Sequence, residues 1–200
     1  MVLFDSGLTT DHRPESDRCG GYKMTIEVKE KGSRQFYKEV VNILTQYRQL
    51  LYRPEDKLRD NFTRYILLTI AMALICAMSI YGGINSSFNA MKILTAVFAG
   101  VAAAATAVIL VRMNKTVDDY LADDRPSVVT LDENGVEIEK TGAQAVRLAW
   151  DNVAFVRTFV ESTSFFSKDF SGIVLSVDNN YRKEIMDYIK SNNIDVKVVR

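Results

Sequence analysis

Two long stretches of this chain carry no charge, and they constrain the fold more than any other feature. Between Arg64 and Arg112 the only charged residue is Lys92. The first stretch has its apolar body at YILLTIAMALICAMSIYGGI, residues 65–84, and the second is ILTAVFAGVAAAATAVILV, residues 93–111. At a rise of about 1.5 Å per residue, about 20 residues cross the roughly 30 Å hydrocarbon core of a bilayer. A charge at the centre of such a helix costs roughly 2.5–3.5 kcal/mol on the insertion scale, and neither stretch contains one. The alternative is a pair of core helices in a soluble protein. Soluble core helices of this length seldom lack charge all round, so the sequence predicts two transmembrane helices.

The linker NSSFNAMK, residues 85–92, is too short for more than a tight turn, which makes the spans a helical hairpin. Arg53, Lys57, Arg59 and Arg64 precede the first span, Arg112 and Lys115 follow the second, and the turn holds Lys92 alone. The positive-inside bias therefore predicts an extracytoplasmic turn and two cytoplasmic termini. Tyr65 at one end of the first span, with Tyr81 and Phe88 near the other, suits aromatic belts at the two interfaces.

The second span is rich in small residues. Ala96, Gly100 and Ala104 are four apart and form the candidate helix-packing face, with Ala99, Ala103 and Ala107 beside them. Small residues at this spacing let helix backbones approach closely in lipid. Ala73, Ala77, Ser79 and Gly83 answer from the first span. Packing within the hairpin is the expected use; contact between copies in a homo-oligomer is the alternative.

The 25 basic and 25 acidic residues balance, which argues against nucleic acid as the main partner. Cys19 and Cys76 give neither a disulfide framework nor metal-ligand spacing. Residues 1–23 show no periodicity and hold the only histidine, His12. They read as a disordered tail or as a leader before a start at Met24. Gly20-Gly21 can be encoded with the purine core of a bacterial ribosome-binding site, two codons upstream of that methionine.

The segment 24–64 begins with the alternating run MTIEVKE, a strand signal. In GSRQFYKEVVNILTQYRQLL, residues 32–51, Phe36, Val40, Leu44, Tyr47 and Leu51 recur at helical spacing. This predicts an amphipathic helix, and its mixed charges favour packing on a domain over lying on the membrane. Pro54-Glu55-Asp56 reads as the opening of a further helix that runs into the first span. Residues 112–126 read as a helical extension and linker, with Asp118, Asp119, Asp123 and Asp124 as a solvated acidic end rather than a cation loop.

Residues 127–200 read as a small antiparallel sheet plus a helix. SVVTLD, a turn at Glu133-Asn134-Gly135 and VEIEK make a hairpin. VRLAW, VAFVRTFVE, TSFFSKD and GIVLSV follow as strands, NYRKEIMDYIKSN as a helix and IDVKVV as a last strand. The fold class is α+β, and the sheet domain is large enough to fold with residues from 24–64 packed on it.

The stretch RLAWDNVAFVRTFVESTSFF, with the preceding hairpin LDENGVEIEK, resembles the YcxB-like bacterial membrane proteins. So does the order strand, helix, two spans, sheet and helix over residues 24–192. The resemblance implies a cytoplasmic domain like a pleckstrin-homology fold and a multi-pass protein of the bacterial cell membrane. It supplies no established activity or site residue. The long helix at 32–51 and the final strand depart from it.

No nucleophile–base pair, phosphate-cradling glycine loop or metal-ligand cluster stands out in the sequence, so neither catalysis nor a cofactor is expected. Trp150 reads as a core residue rather than a partner's anchor. Arg147, Arg157, Lys168, Arg182 and Lys183 would have to gather to hold an anionic lipid, yet residues 127–200 carry nine basic and eleven acidic residues. The reading is a membrane-anchored module that binds a cytoplasmic protein at the bilayer. The alternative is a helper or immunity-type subunit that acts through helix association.

Overall fold

The first strand and the second are neighbours in space, although residues 29–126 separate them. In the computed structural model, which describes residues 23–28, 32–86, 89–169 and 172–199, β1 (Met24–Val28) lies antiparallel to β2 (Ser127–Asp132), Ile26 opposite Val129. Between them come α1 (Arg34–Thr45), α2 (Tyr47–Tyr52) and two long helices, α3 (Asn61–Ser86) and α4 (Ala90–Ala122). The hairpin is thus an insertion into a sheet. Residues 1–22, with His12 and Cys19, and Phe88 of the turn lie outside the described residues.

The meander continues through β3 (Gly135–Lys140) and β4 (Val146–Ala149) to complete a four-stranded sheet in the order β1-β2-β3-β4. The β2–β3 turn is held by Asp132, whose carboxylate accepts from the backbone N–H of Asn134 at 2.7 Å and of Gly135 at 3.0 Å. Glycine is required at 135, because a Cβ there would come within 2.3 Å of the Leu148 carbonyl oxygen. A second sheet holds β5 (Val153–Thr158), β6 (Ser162–Ser167), β7 (Val174–Asp178) and β8 (Val198–Val199) in the order β7-β6-β5-β8. All pairings are antiparallel except β5 with β8. The fold is α+β, with antiparallel sheets and two long apolar helices.

The sheets share one core. Val129, Leu131, Val136 and Leu148 from the first meet Val153, Val156, Phe165 and Leu175 from the second. Helix α5 (Arg182–Ser191) adds Ile185, Tyr188 and Ile189. Each such side chain contributes about 1.5–3 kcal/mol on full burial. A bulge between Val153 and Phe155 turns Phe155 to the opposite face of the second sheet. There Phe155, Phe166 and Val199 pack against Ile43, Tyr47 and Leu50 of α1 and α2. The second sheet is therefore covered on both faces, which explains why every residue of β6 is buried.

Several local readings shift. The helix expected over 32–51 breaks at Gln46, whose φ of −108° leaves the helical region. Pro54 and Glu55 form a turn, residues 57–60 are not helical, and α3 starts only at Asn61. The last strand shrinks to Val198–Val199 because it adds parallel to β5 at one end only.

Candidate functional site

The two long helices are not core helices. Only 6% of the apolar window of α3 and 11% of that of α4 is buried. Their outer residues, from Leu68 at 36% to Met78 at 73% exposure, face away from the protein. The inner faces follow a different rule. Among the buried or half-buried positions on α3, Phe62, Tyr65, Thr69, Met72, Cys76, Ser79 and Gly83 are spaced alternately three and four apart. On α4 the matching series runs Ala96, Ala99, Ala103, Thr106, Leu110, Met113 and Val117. This spacing of 3.5 is the seam of two helices wound around each other.

The structure divides the candidate residues Ala96, Gly100 and Ala104. Ala96 and Gly100 are half-buried on the α3 side, where a Cβ on Gly100 would lie 3.6 Å from Cys76 Sγ. Ala104 is exposed. Positions spaced by four advance about 40° around a helix at each step, so the stripe drifts off the seam. The alternating spacing of three and four would have found the rest of it. Midway along the seam, the Thr69 and Thr106 hydroxyls are 2.8 Å apart and hydrogen-bonded. At the turn, Lys92 Nζ donates to the Gly82 carbonyl at 3.1 Å and to Ser86 Oγ at 2.6 Å. A cation there satisfies the carbonyl end of α3 and suits its dipole.

The other end of the hairpin is clamped to the sheet domain. Asn42, Thr45 and Gln46 share one face of α1. The Gln46 side chain grips the backbone of Arg59 from both sides: Nε2 donates to the carbonyl at 2.7 Å, and Oε1 accepts from the N–H at 3.0 Å. Asn42 Oδ1 accepts from the Asn61 N–H at 3.2 Å, and Asn61 Nδ2 donates to Thr45 Oγ1 at 2.8 Å. Asn42, Gln46 and Asn61 are all buried. Polar groups out of water hold one geometry when their partners are all present. This capture of residues 59–61 is why no helix runs from Pro54 into the first span.

Asp60 caps α3, accepting from the Phe62 N–H at 3.1 Å and the Thr63 hydroxyl at 2.5 Å. Burial pushes its carboxyl upward, but the hydrogen bonds from Thr63, Asn42 and Phe62 outweigh burial and leave it below the usual carboxylate range. The loop before it is held from the second sheet. Arg157, 7% exposed, donates from Nη1 to the Pro54 carbonyl at 2.6 Å and lies 4.8 Å from the centre of the Phe159 ring. Burial lowers its pKa, though a guanidinium stays charged at any physiological pH. Sequence reasoning missed these roles, because they depend on which strand lies behind which loop.

Two more contacts fix the domain to α1 and α4. The Glu39 carboxylate accepts from the N–H groups of Val160 and Glu161, both at 3.1 Å, and from Ser162 Oγ at 2.7 Å. Arg34 pairs with Asp118 at 3.1 Å, and the Tyr37 and Tyr120 rings stack at 5.8 Å. The acidic end of α4 is thus partly neutralised. Asp123 binds Arg125 at 2.8 Å and Lys140 at 3.1 Å, and the Arg125 hydrogen bonds hold its carboxyl far below the usual range. Among the described residues no three His, Cys, Asp or Glu side chains gather to hold a metal ion.

The remaining sequence candidates separate. Trp150 borders the core, and its Nε1 donates to the Asp132 carbonyl at 2.8 Å. Arg147 pairs with Asp132 at 2.7 Å on the first sheet, Arg157 is buried against Pro54, and Arg182 and Lys183 stand on α5. They do not form one patch. The arrangement around α1 is mechanical rather than chemical: it fixes the angle at which two apolar helices leave a sheet domain. No family model, curated protein or solved structure matches the chain.

Proposed function

We propose that this protein is a membrane-anchored binding or scaffold module. Its hairpin crosses the bilayer, and its sheet domain engages a protein partner on the cytoplasmic side. The observation that carries the reading is the hairpin's surface: over its apolar stretch, large apolar side chains such as Leu67, Leu74, Met78, Phe98 and Val101 are exposed. Such a surface is stable only in an apolar solvent. The lengths support it, since 26 and 33 helical residues extend about 39 and 50 Å. The crowding of basic residues at the base of the hairpin supports cytoplasmic termini.

Two packed four-stranded sheets with α5 beside the shared core are compatible with a pleckstrin-homology-like domain; the YcxB-like, bacterial part of the proposal rests on the sequence resemblance alone. In this reading the domain is split by its own anchor. The clamp from α1 then presents it to partners in one fixed orientation. Alkaline carbonate extraction followed by proximity labelling from the C terminus tests the proposal. The expected outcome is a chain retained in the membrane pellet that labels the same cytoplasmic protein in repeated preparations. Release into the wash refutes the anchor, and recovery of the protein alone refutes the binding module. The exposure of Ala104 favours one second reading, association of hairpins in a helper subunit. Cross-linked homodimers that Ala104→Leu abolishes are its signature.

A further inference from the structure

We propose that the base of the hairpin is a seat for an anionic phospholipid of the bilayer, its headgroup held by Lys57, Arg59 and Arg64 and its acyl chain lying along α3. This rests on the membrane reading above and adds a lipid class to it. Two independent observations point there.

The first is charge without partners. The side chains of Arg53, Lys57, Arg59, Arg64, Arg112 and Lys115 are exposed, and among the described residues none of them makes an ion pair. Elsewhere Arg34, Arg125, Lys140 and Arg147 are each paired with an acid. Arg182, Lys183 and Lys190 on α5 are also without an ion pair among the described residues, so the absence of partners is shared and the position beside the apolar helices is what sets the first group apart. Phe62 packs with Met113, so Arg64 and Arg112 stand at the same height on adjacent helices. The acids of this region are mostly committed. Asp56 accepts from Gln49 Nε2 at 3.0 Å and Asp60 caps α3, which leaves Glu55 and, on α4, Asp119.

The second is a helix flank with the polarity of a lipid. A shallow depression, open to the outside, lies along one side of α3. Asp60, Thr63 and Arg64 line its upper end and Leu67, Leu68 and Ala71 its lower end. Polar lining sits at the expected headgroup level and apolar lining one to two turns deeper. The Asp60 carboxylate is engaged by Asn42, the Phe62 N–H and Thr63, which leaves Arg64 as the group of the lining available to a phosphate, with Lys57 and Arg59 close by in the sequence. A neutral headgroup would gain little from them.

Spin-labelled lipids test this with the full chain in phosphatidylcholine vesicles. A label on phosphatidylglycerol or on phosphatidylcholine reports the share of lipid immobilised by the protein. The expected result is about a fivefold preference for phosphatidylglycerol, the effect of about one basic residue near a charged surface. Preference should fall to near one in Lys57→Gln/Arg59→Gln/Arg64→Gln. It should persist in Arg182→Gln/Lys183→Gln/Lys190→Gln, which removes the same charge from α5. Equal immobilisation of both lipids by the unaltered chain overturns the seat and leaves the anchor standing. Equal loss in the α5 variant overturns it in favour of net charge alone. Removal of the chain from the vesicles by carbonate overturns both the seat and the anchor.

Discussion

Phe165 of the sheet domain is fully buried, while Phe98 of the hairpin is 66% exposed. The contrast extends through both regions. In the domain Phe166, Leu131 and Ile185 lie innermost, while Glu27 and Glu139 are exposed on the first sheet. Along the apolar stretch of the hairpin Gly83, Ala99 and Thr106 are buried while Met78, Ile84 and Val101 lie outermost, and at its base Phe62, Met113 and Val117 are buried. One chain packs differently in the sheet domain and in the apolar stretch of the hairpin inserted into it. Water enforces the first pattern through the hydrophobic effect. The second fits the proposed bilayer, a solvent as apolar as leucine, in which helices associate through close approach and hydrogen bonds. The side chains of Asn42 and Gln46 sit where the two regimes meet.

The sharpest way to break this comparison is to truncate the same residue type in both regions. Phe165→Ala is expected to cost about 3–5 kcal/mol, read as a lowered denaturant midpoint of Trp150 fluorescence in the domain. Phe98→Ala is expected to stay within about 0.5 kcal/mol. Equal losses would mean that the outer face of the hairpin packs on protein.

The meeting point comes next. Gln46→Leu leaves the N–H and carbonyl of Arg59 without their partner and should cost about 1–3 kcal/mol. Faster amide exchange at residues 59–61, with the sheet core still protected, is the expected readout. Unchanged exchange there would remove the clamp from the account.

Within the hairpin, Gly100→Ala should be tolerated, because a Cβ at 3.6 Å from Cys76 Sγ is in ordinary contact. Gly100→Leu overpacks the seam at about 1–3 kcal/mol. Disulfide trapping between Thr69→Cys and Thr106→Cys should slow in that background while the domain's fluorescence is unchanged. The smallest effect is expected from Thr106→Val, about 0.6 kcal/mol for one interhelical hydrogen bond, measured as a shift in unfolding in detergent.

These regions were not equally legible in the sequence. The two long apolar helices could be read because such a stretch is a local property: absence of charge over a fixed length. The strands of residues 127–178 could be read from alternation and from the Asp132–Gly135 turn. The helix start was misread because Pro54-Glu55-Asp56 carries a sound local signal. It is overridden by Gln46, Asn42 and Arg157, which reach the loop only once the sheets are assembled. Ala104 fits the small-residue spacing but is exposed, because an alanine-rich helix offers small residues at every spacing and the spacing alone does not say which of them meet α3. Asn42 and Gln46 look like ordinary polar positions on an amphipathic helix, and nothing local marks them for burial. The long separation of β1 from β2 hides their pairing, because the strand signal of MTIEV does not name its partner.

The central claim is that an apolar hairpin crosses the membrane while both flanks build one domain on the cytoplasmic side. It is tested most directly by an impermeant maleimide applied to intact cells. Single cysteines would be placed at Asn89, Glu27 or Asp151 in a Cys19→Ser/Cys76→Ala background. The account predicts labelling at position 89 before lysis, and at 27 and 151 only after it. Labelling at 27 or 151 in intact cells, or protection of 89, would contradict it.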